Sequence, residues 1–139
     1  MNTPFVMVIF GATGDLSRRK LIPSLFSLFK QKLLPDNFYI IGFSRRDISD
    51  DEFKSLFTSV ADDSKWKEFS SHLTYQKGVF EEEGGYRLLI QKLNELDKKI
   101  GACITRFFYL ATPPDHYQVI LNHLKKTKLS EARIIIEKP

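Results

Sequence analysis

Two glycines three residues apart, Gly11 and Gly14, stand directly between an apolar run and a helical pattern. The run Phe5-Val-Met-Val-Ile-Phe10 is short and rich in β-branched and aromatic residues, which predicts a buried parallel strand. A glycine without Cβ lets the chain turn sharply and lets a phosphate approach the main chain. The free N–H groups and positive end of the following helix then face the anion. The segment Gly11-Ala12-Thr13-Gly14-Asp15-Leu16-Ser17-Arg18 therefore implies binding of the pyrophosphate of a dinucleotide. Its spacing is G-x-x-G rather than G-x-G-x-x-G, with Asp15 near the place of a third glycine. That carboxylate would repel a pyrophosphate, so it is expected to turn toward the backbone or to cap the helix.

A second group of chemistry-bearing residues, Gly42-Phe43-Ser44-Arg45-Arg46, closes the next strand-like run. An NAD site places Asp or Glu here on the ribose hydroxyls, whereas NADP requires cations for the 2′-phosphate. No carboxylate precedes the arginines, and Asp47 comes only after them. A guanidinium fork grips phosphate at two points, and the Ser44 hydroxyl could add a bond. Such charge-assisted bonds are each worth about 1.5–3 kcal/mol, so Arg45 could supply a roughly tenfold to hundredfold preference for NADP. Further on, Ala111-Thr112-Pro113-Pro114 suits a rigid rim over a nicotinamide ribose. Tyr117, one turn into the next helix, faces either the cofactor or the core. Lys138 follows the last strand on the same crevice edge. With no carboxylate placed to orient them, His116, His72 and His123 read as ordinary helix or surface histidines, and Cys103 as a small packing residue.

The elements that position these residues alternate. Strands are expected at Phe5–Phe10, Phe38–Phe43, His72–Gly78, Arg106–Ala111 and Arg133–Glu137. Helices are expected from Asp15 to about Lys32 with a distortion at Pro23, from Asp50 through Val60, around Trp66 and Phe69, over Tyr86–Leu96, and over Asp115–Lys126. Ser49 and Glu52 have capping-box spacing. This order predicts an α/β fold of Rossmann type: a doubly wound, mostly parallel sheet with helices on both faces. The whole of residues 1–139 reads as one NAD(P)-binding domain. The net charge of +4 is mild and its basic residues are dispersed, which does not suit a nucleic-acid binder. One cysteine allows no internal disulfide and fits a reducing compartment. With no signal-like start and no run long enough to span a membrane, a cytoplasmic protein is expected. No metal site is expected. The sequence stops just past its fifth strand, so the chain is expected to be cut from something longer.

Four motifs in order resemble the N-terminal coenzyme domain of the glucose-6-phosphate dehydrogenase family. Gly11-Ala-Thr-Gly14-Asp15-Leu16-x-x-x-Lys20 resembles G-A/G-S/T-G-D-L-A-x-x-K, and Ser44-Arg45-Arg46 resembles its second-strand arginine motif. Phe108-Tyr-Leu-Ala-Thr-Pro-Pro114 resembles F-Y-L-A-x-P-P, and Ile136-Glu-Lys-Pro139 the start of E-K-P-F-G. Ser17 stands where the family commonly has alanine. The resemblance implies oxidation of glucose 6-phosphate at C1 to the lactone, with hydride passing to NADP. It implies that Gly11 to Arg18 hold the pyrophosphate, that Arg45 reads the 2′-phosphate, and that Tyr117 lies along the cofactor. Lys138 would touch both substrate and coenzyme. The intact enzyme would be a homo-oligomer with no nucleic-acid or membrane partner. The family's histidine base lies in an R-I-D-H-Y-L-G-K segment, which this sequence lacks, so no catalytic residue carries over and the chain by itself is expected to be inactive. The alternative is a stand-alone NADP-binding or redox-sensing module. A short-chain reductase would need Tyr-x-x-x-Lys, which none of the five tyrosines provides, and a P-loop enzyme would need Gly-Lys-Ser/Thr.

Overall fold

The computed structural model describes residues 3–101, 104–126 and 132–136. Cys103 and Lys138 lie outside them. Five strands, β1 (Phe5–Phe10), β2 (Phe38–Ser44), β3 (Leu73–Lys77), β4 (Thr105–Leu110) and β5 (Ala132–Ile136), form one sheet in the order β3-β2-β1-β4-β5. Every pairing is parallel, and β1 at the centre pairs along its full length with both β2 and β4. The expected α/β architecture is the one observed.

Alternation along β1 divides the core in two. Met7 and Ile9 join a cluster with Phe26, Phe53, Trp66 and Phe69, which lie on or beside α1 (Ile22–Lys30), α2 (Asp50–Lys54) and α3 (Trp66–Ser70). Val6, Val8 and Phe10 join the opposite cluster with Tyr86, Leu89 and Leu93 of α4 (Glu83–Ile100) and Ile120 and Leu124 of α5 (Tyr117–Lys126). Helices thus cover both faces. The two outer strands differ: Ile134 and Ile136 of β5 remain nearly half exposed, whereas Leu73 and Tyr75 of β3 are buried.

The first helix is continuous from Asp15 to Lys30, but Ser17–Leu21 is wound as a π-helical turn. Pro23 follows directly, where the wider π turn, closed by the Ile22 N–H to Ser17 O bond, accommodates its missing N–H. The distortion expected at Pro23 therefore lies just ahead of it. The helix expected from Asp50 through Val60 is shorter. It begins with the Ser49–Glu52 capping box and ends at Lys54. Beyond it Leu56 N–H donates to Phe53 O and Val60 N–H to Phe57 O, three-residue turns that tighten the chain and still bury Phe57. Gly101, at φ +77°, ends α4.

Tyr86 donates its phenol to the Phe80 carbonyl at 2.9 Å, and burial pushes its pKa far above the ordinary tyrosine range. Burial raises that of Tyr75 as well. A phenol whose pKa is higher folded than unfolded adds stability that is complete below about pH 10 and is lost as pH rises further. Spectrophotometric titration should find these two phenols resisting ionisation while the fold persists. The unfolding free energy should fall from about pH 10 upward, and less steeply in Tyr86→Phe.

Candidate dinucleotide-binding site

The site is built where strand ends meet. At Gly11 (φ +85°) the chain leaves β1, and its N–H donates to Phe43 O at 2.9 Å. A Cβ here would fall 2.7 Å from Thr112 Cγ2 and 2.8 Å from Ala111 O, so β1 and β4 can end side by side only with glycine between them. Gly14 N–H donates to Gly11 O at 3.0 Å and closes the turn, and Arg18 N–H donates to Gly14 O at 3.1 Å and opens the helix. The first-turn N–H groups then have no acceptor within the helix, and they carry its positive end.

Around this turn the C-terminal ends of β1 to β4 enclose a cavity of about 410 Å³. Gly11, Thr13 and Gly14 form its floor, Arg45 and Arg46 one wall, and Thr112 and Pro113 another. The segment after β3, Gly78 to Glu81, and His116 complete it. Among the described residues no carboxylate lies within ion-pair distance of the Arg45 or Arg46 guanidinium. Asp47, the nearest acid in sequence, is 3.9 Å from Lys77 Nζ instead. Both arginines are exposed and lie at the crevice with their charge uncommitted.

The residues expected to bind coenzyme take different places. Gly11, Thr13, Gly14 and Arg45 line the cavity. Ala12, Leu16 and Ser17 support it from below: Ala12 and Ser17 are fully buried, and Leu16 packs on the α1–α3 cluster. Asp15 does not cap the helix. It pairs with Arg18 Nη2 at 3.2 Å and lies 3.8 Å from Arg19 Nε, so its charge is compensated on the solvent side. Arg18 is thereby held outside the cavity wall. The structure does not bring Tyr117 to that wall either. Its half-buried ring packs on the α4–α5 cluster, and the neighbouring His116 lines the crevice, 5.4 Å from the Phe80 ring. Ser44, expected to offer a hydroxyl to phosphate, also lines the cavity, though it is largely buried and its hydroxyl is hydrogen-bonded to Thr13 and Tyr75. Lys138 lies outside the described residues. His72 is structural, with Nδ1 2.8 Å from Phe38 O and its ring stacked on Phe38.

Phe80 and Glu81 were missed in the sequence, and His116, read there as an ordinary histidine, lines the crevice. Their signal is position alone: each follows the C-terminal end of a parallel strand, the side on which such sheets bind ligands.

The bare turn, the helix end and the free guanidinium pair fit a phosphorylated dinucleotide, and similarity to known proteins agrees. A family model described as "Glucose-6-phosphate dehydrogenase, NAD binding domain" matches residues 8–139. The chain belongs to the glucose-6-phosphate dehydrogenase family. It is similar to the glucose-6-phosphate 1-dehydrogenase of Chlamydia pneumoniae, at 39% identity over 98% of this chain and 30% of that protein. It is 42% identical to that of Borreliella burgdorferi, over 97% of this chain and 28% of the relative. A solved glucose-6-phosphate dehydrogenase in complex with glucose-6-phosphate superposes with a TM-score of 0.91 at 32% identity, over 99% of this chain and 31% of that one. The enzyme of Mycobacterium avium superposes at 0.80 and 28% identity, over 96% and 29% of the respective chains. The chain spans about 30% of the length of these relatives.

The buried Ser17 hydroxyl has no hydrogen-bond partner among the described residues. A buried hydroxyl without a partner costs roughly 1–3 kcal/mol. Ser17→Ala should therefore leave stability unchanged or raise it by about 1 kcal/mol in chemical denaturation, with coenzyme affinity unaltered. Gly11→Ala should lower stability by about 1–3 kcal/mol, because both φ and the Thr112 contact oppose a side chain.

Proposed function

We propose that this chain is the coenzyme-binding part of an NADP-dependent glucose-6-phosphate 1-dehydrogenase, which oxidises glucose 6-phosphate to the lactone. The observation that carries the choice of NADP is the uncommitted Arg45–Arg46 pair at the end of β2, with no carboxylate within ion-pair distance among the described residues. Here the helix start at Gly14 takes the pyrophosphate through main-chain N–H groups, and Arg45 takes the ribose 2′-phosphate as a fork. Thr112 and Pro113 form the rim on the nicotinamide side. When bound, NADP supplies the hydride acceptor, while the protein's own residues orient it and neutralise its phosphates. Tyr117 and Lys138 belong to this reading by resemblance, Tyr117 along the cofactor and Lys138 between coenzyme and sugar phosphate. The same reading makes the intact enzyme a cytoplasmic homo-oligomer. Among the described residues no helix is long and apolar enough to cross a membrane.

Arg45→Ala should weaken NADP roughly tenfold to hundredfold and NAD by less than about twofold, measured by titrating both coenzymes into both proteins. Equal losses would refute the 2′-phosphate role. The R-I-D-H base segment is not found among these 139 residues. The chain should therefore bind NADP yet form no NADPH from glucose 6-phosphate, followed by absorbance, and steady turnover would refute the assignment of the base to that segment.

A further inference from the structure

The turn that carries Arg45 and Arg46 is tied to the sheet by a line of hydroxyls. The phenol oxygen of Tyr75, in β3, lies 2.7 Å from the Arg46 carbonyl oxygen, 3.0 Å from the Ser44 carbonyl oxygen, and in hydrogen-bond contact with Ser44 Oγ. Thr13 Oγ1 in turn donates to Ser44 Oγ at 3.3 Å. Each hydroxyl has one proton. One polarity uses every proton once and engages the nearer carbonyl: Thr13 donates to Ser44, Ser44 to Tyr75, and Tyr75 to Arg46 O.

We propose that Tyr75 is a positioning residue for coenzyme specificity: its phenol fixes the main chain at Arg46 and so presents the two guanidinium groups to the 2′-phosphate. Part of the discrimination between NADP and NAD then resides in a side chain outside the cavity wall. This inference rests on the NADP reading above.

Three observations support it. Tyr75 is itself a fixed post: its N–H donates to Asp50 Oδ1 at 2.8 Å, and its carbonyl accepts from Lys92 Nζ at 2.7 Å. The far end of the turn is fixed independently by the Ser49–Glu52 capping box, so the phenol holds the near end. Between these anchors residues 45–47 are exposed, and the ion pair there, Asp47 to Lys77, is long and solvated. Without the phenol a phosphate would have to order two rotamer-rich side chains and their backbone itself, which lowers affinity. Burial raises the Tyr75 pKa, so the donor stays protonated across the neutral range.

Tyr75→Phe keeps the ring, whose centroid is 5.2 Å from that of Phe53, and removes only the hydroxyl. NADP and NAD are titrated into the wild-type chain, Tyr75→Phe, Arg45→Ala and the double variant. Tyr75→Phe should weaken NADP about threefold to tenfold, the range of one lost hydrogen bond, with NAD changed by less than about twofold. In the Arg45→Ala background the same substitution should cost NADP less than it costs the wild-type chain, because only Arg46 is left to be positioned. Equal losses for both coenzymes, no loss for either, or an undiminished loss in the Arg45→Ala background would overturn the proposal. Should Arg45→Ala itself weaken both coenzymes equally, the NADP reading fails instead. Amide exchange without coenzyme gives an independent readout: residues 45–48 should exchange faster in Tyr75→Phe, and unchanged exchange would also overturn the proposal.

Discussion

Three strand ends converge on the bare Cα of Gly11, and the crevice exists because they can. Its N–H reaches the end of β2, and its missing side chain leaves room for the end of β4. The next strand in sequence must cross to return parallel, so β2 and β4 reach β1 from opposite sides. Chain reversal and close approach are thus demanded of one residue, and only glycine meets both at positive φ. Remove that freedom and the floor of the cavity, the direction of the first helix and the spacing of its walls all change together.

Charge completes what the backbone begins. At the start of the first helix Asp15 would oppose a bound pyrophosphate, yet Arg18 and Arg19 gather its carboxylate on the solvent side. At the end of β2 the reverse holds, because among the described residues the two cations have no acid within ion-pair distance. The site thus gathers positive potential from a helix end and a guanidinium pair, with Glu81 the carboxylate among the cavity's lining residues.

Much of this was legible in the sequence because the signals are local. A β-branched run, a glycine pair and arginines without a preceding acid are each read within a few residues. The parallel sheet and both helical faces followed from alternation, and the Ser49 capping box formed as its spacing predicts. What escaped depends on contacts distant in the chain. Tyr75 reads as one aromatic residue in a weak strand, and only the pairing of Ser44 with Lys77 in the β2–β3 ladder brings its phenol under Arg46. Ser44 reads as a ligand hydroxyl and does line the cavity, but that same ladder also engages its hydroxyl with Tyr75. Tyr117 and His116 are neighbours, and which of them meets the crevice is decided by where the short 3-10 turn Pro114–His116 gives way to α5. The second helix likewise ends at Lys54 with no breaker residue after it, and tighter turns carry Phe57 into the core.

The outer margin of β3 has a consequence beyond coenzyme binding. Main-chain groups along the rim of a sheet invite a foreign β-segment to dock. Here Asp50 and Lys92 occupy the amide and carbonyl of Tyr75, and the Gln76 side chain occupies the Lys77 carbonyl at 2.8 Å. An intruding polypeptide would have to displace two charged partners to pair at Tyr75. The arrangement that steadies the tyrosine thus also blunts this stretch of the edge as a docking template.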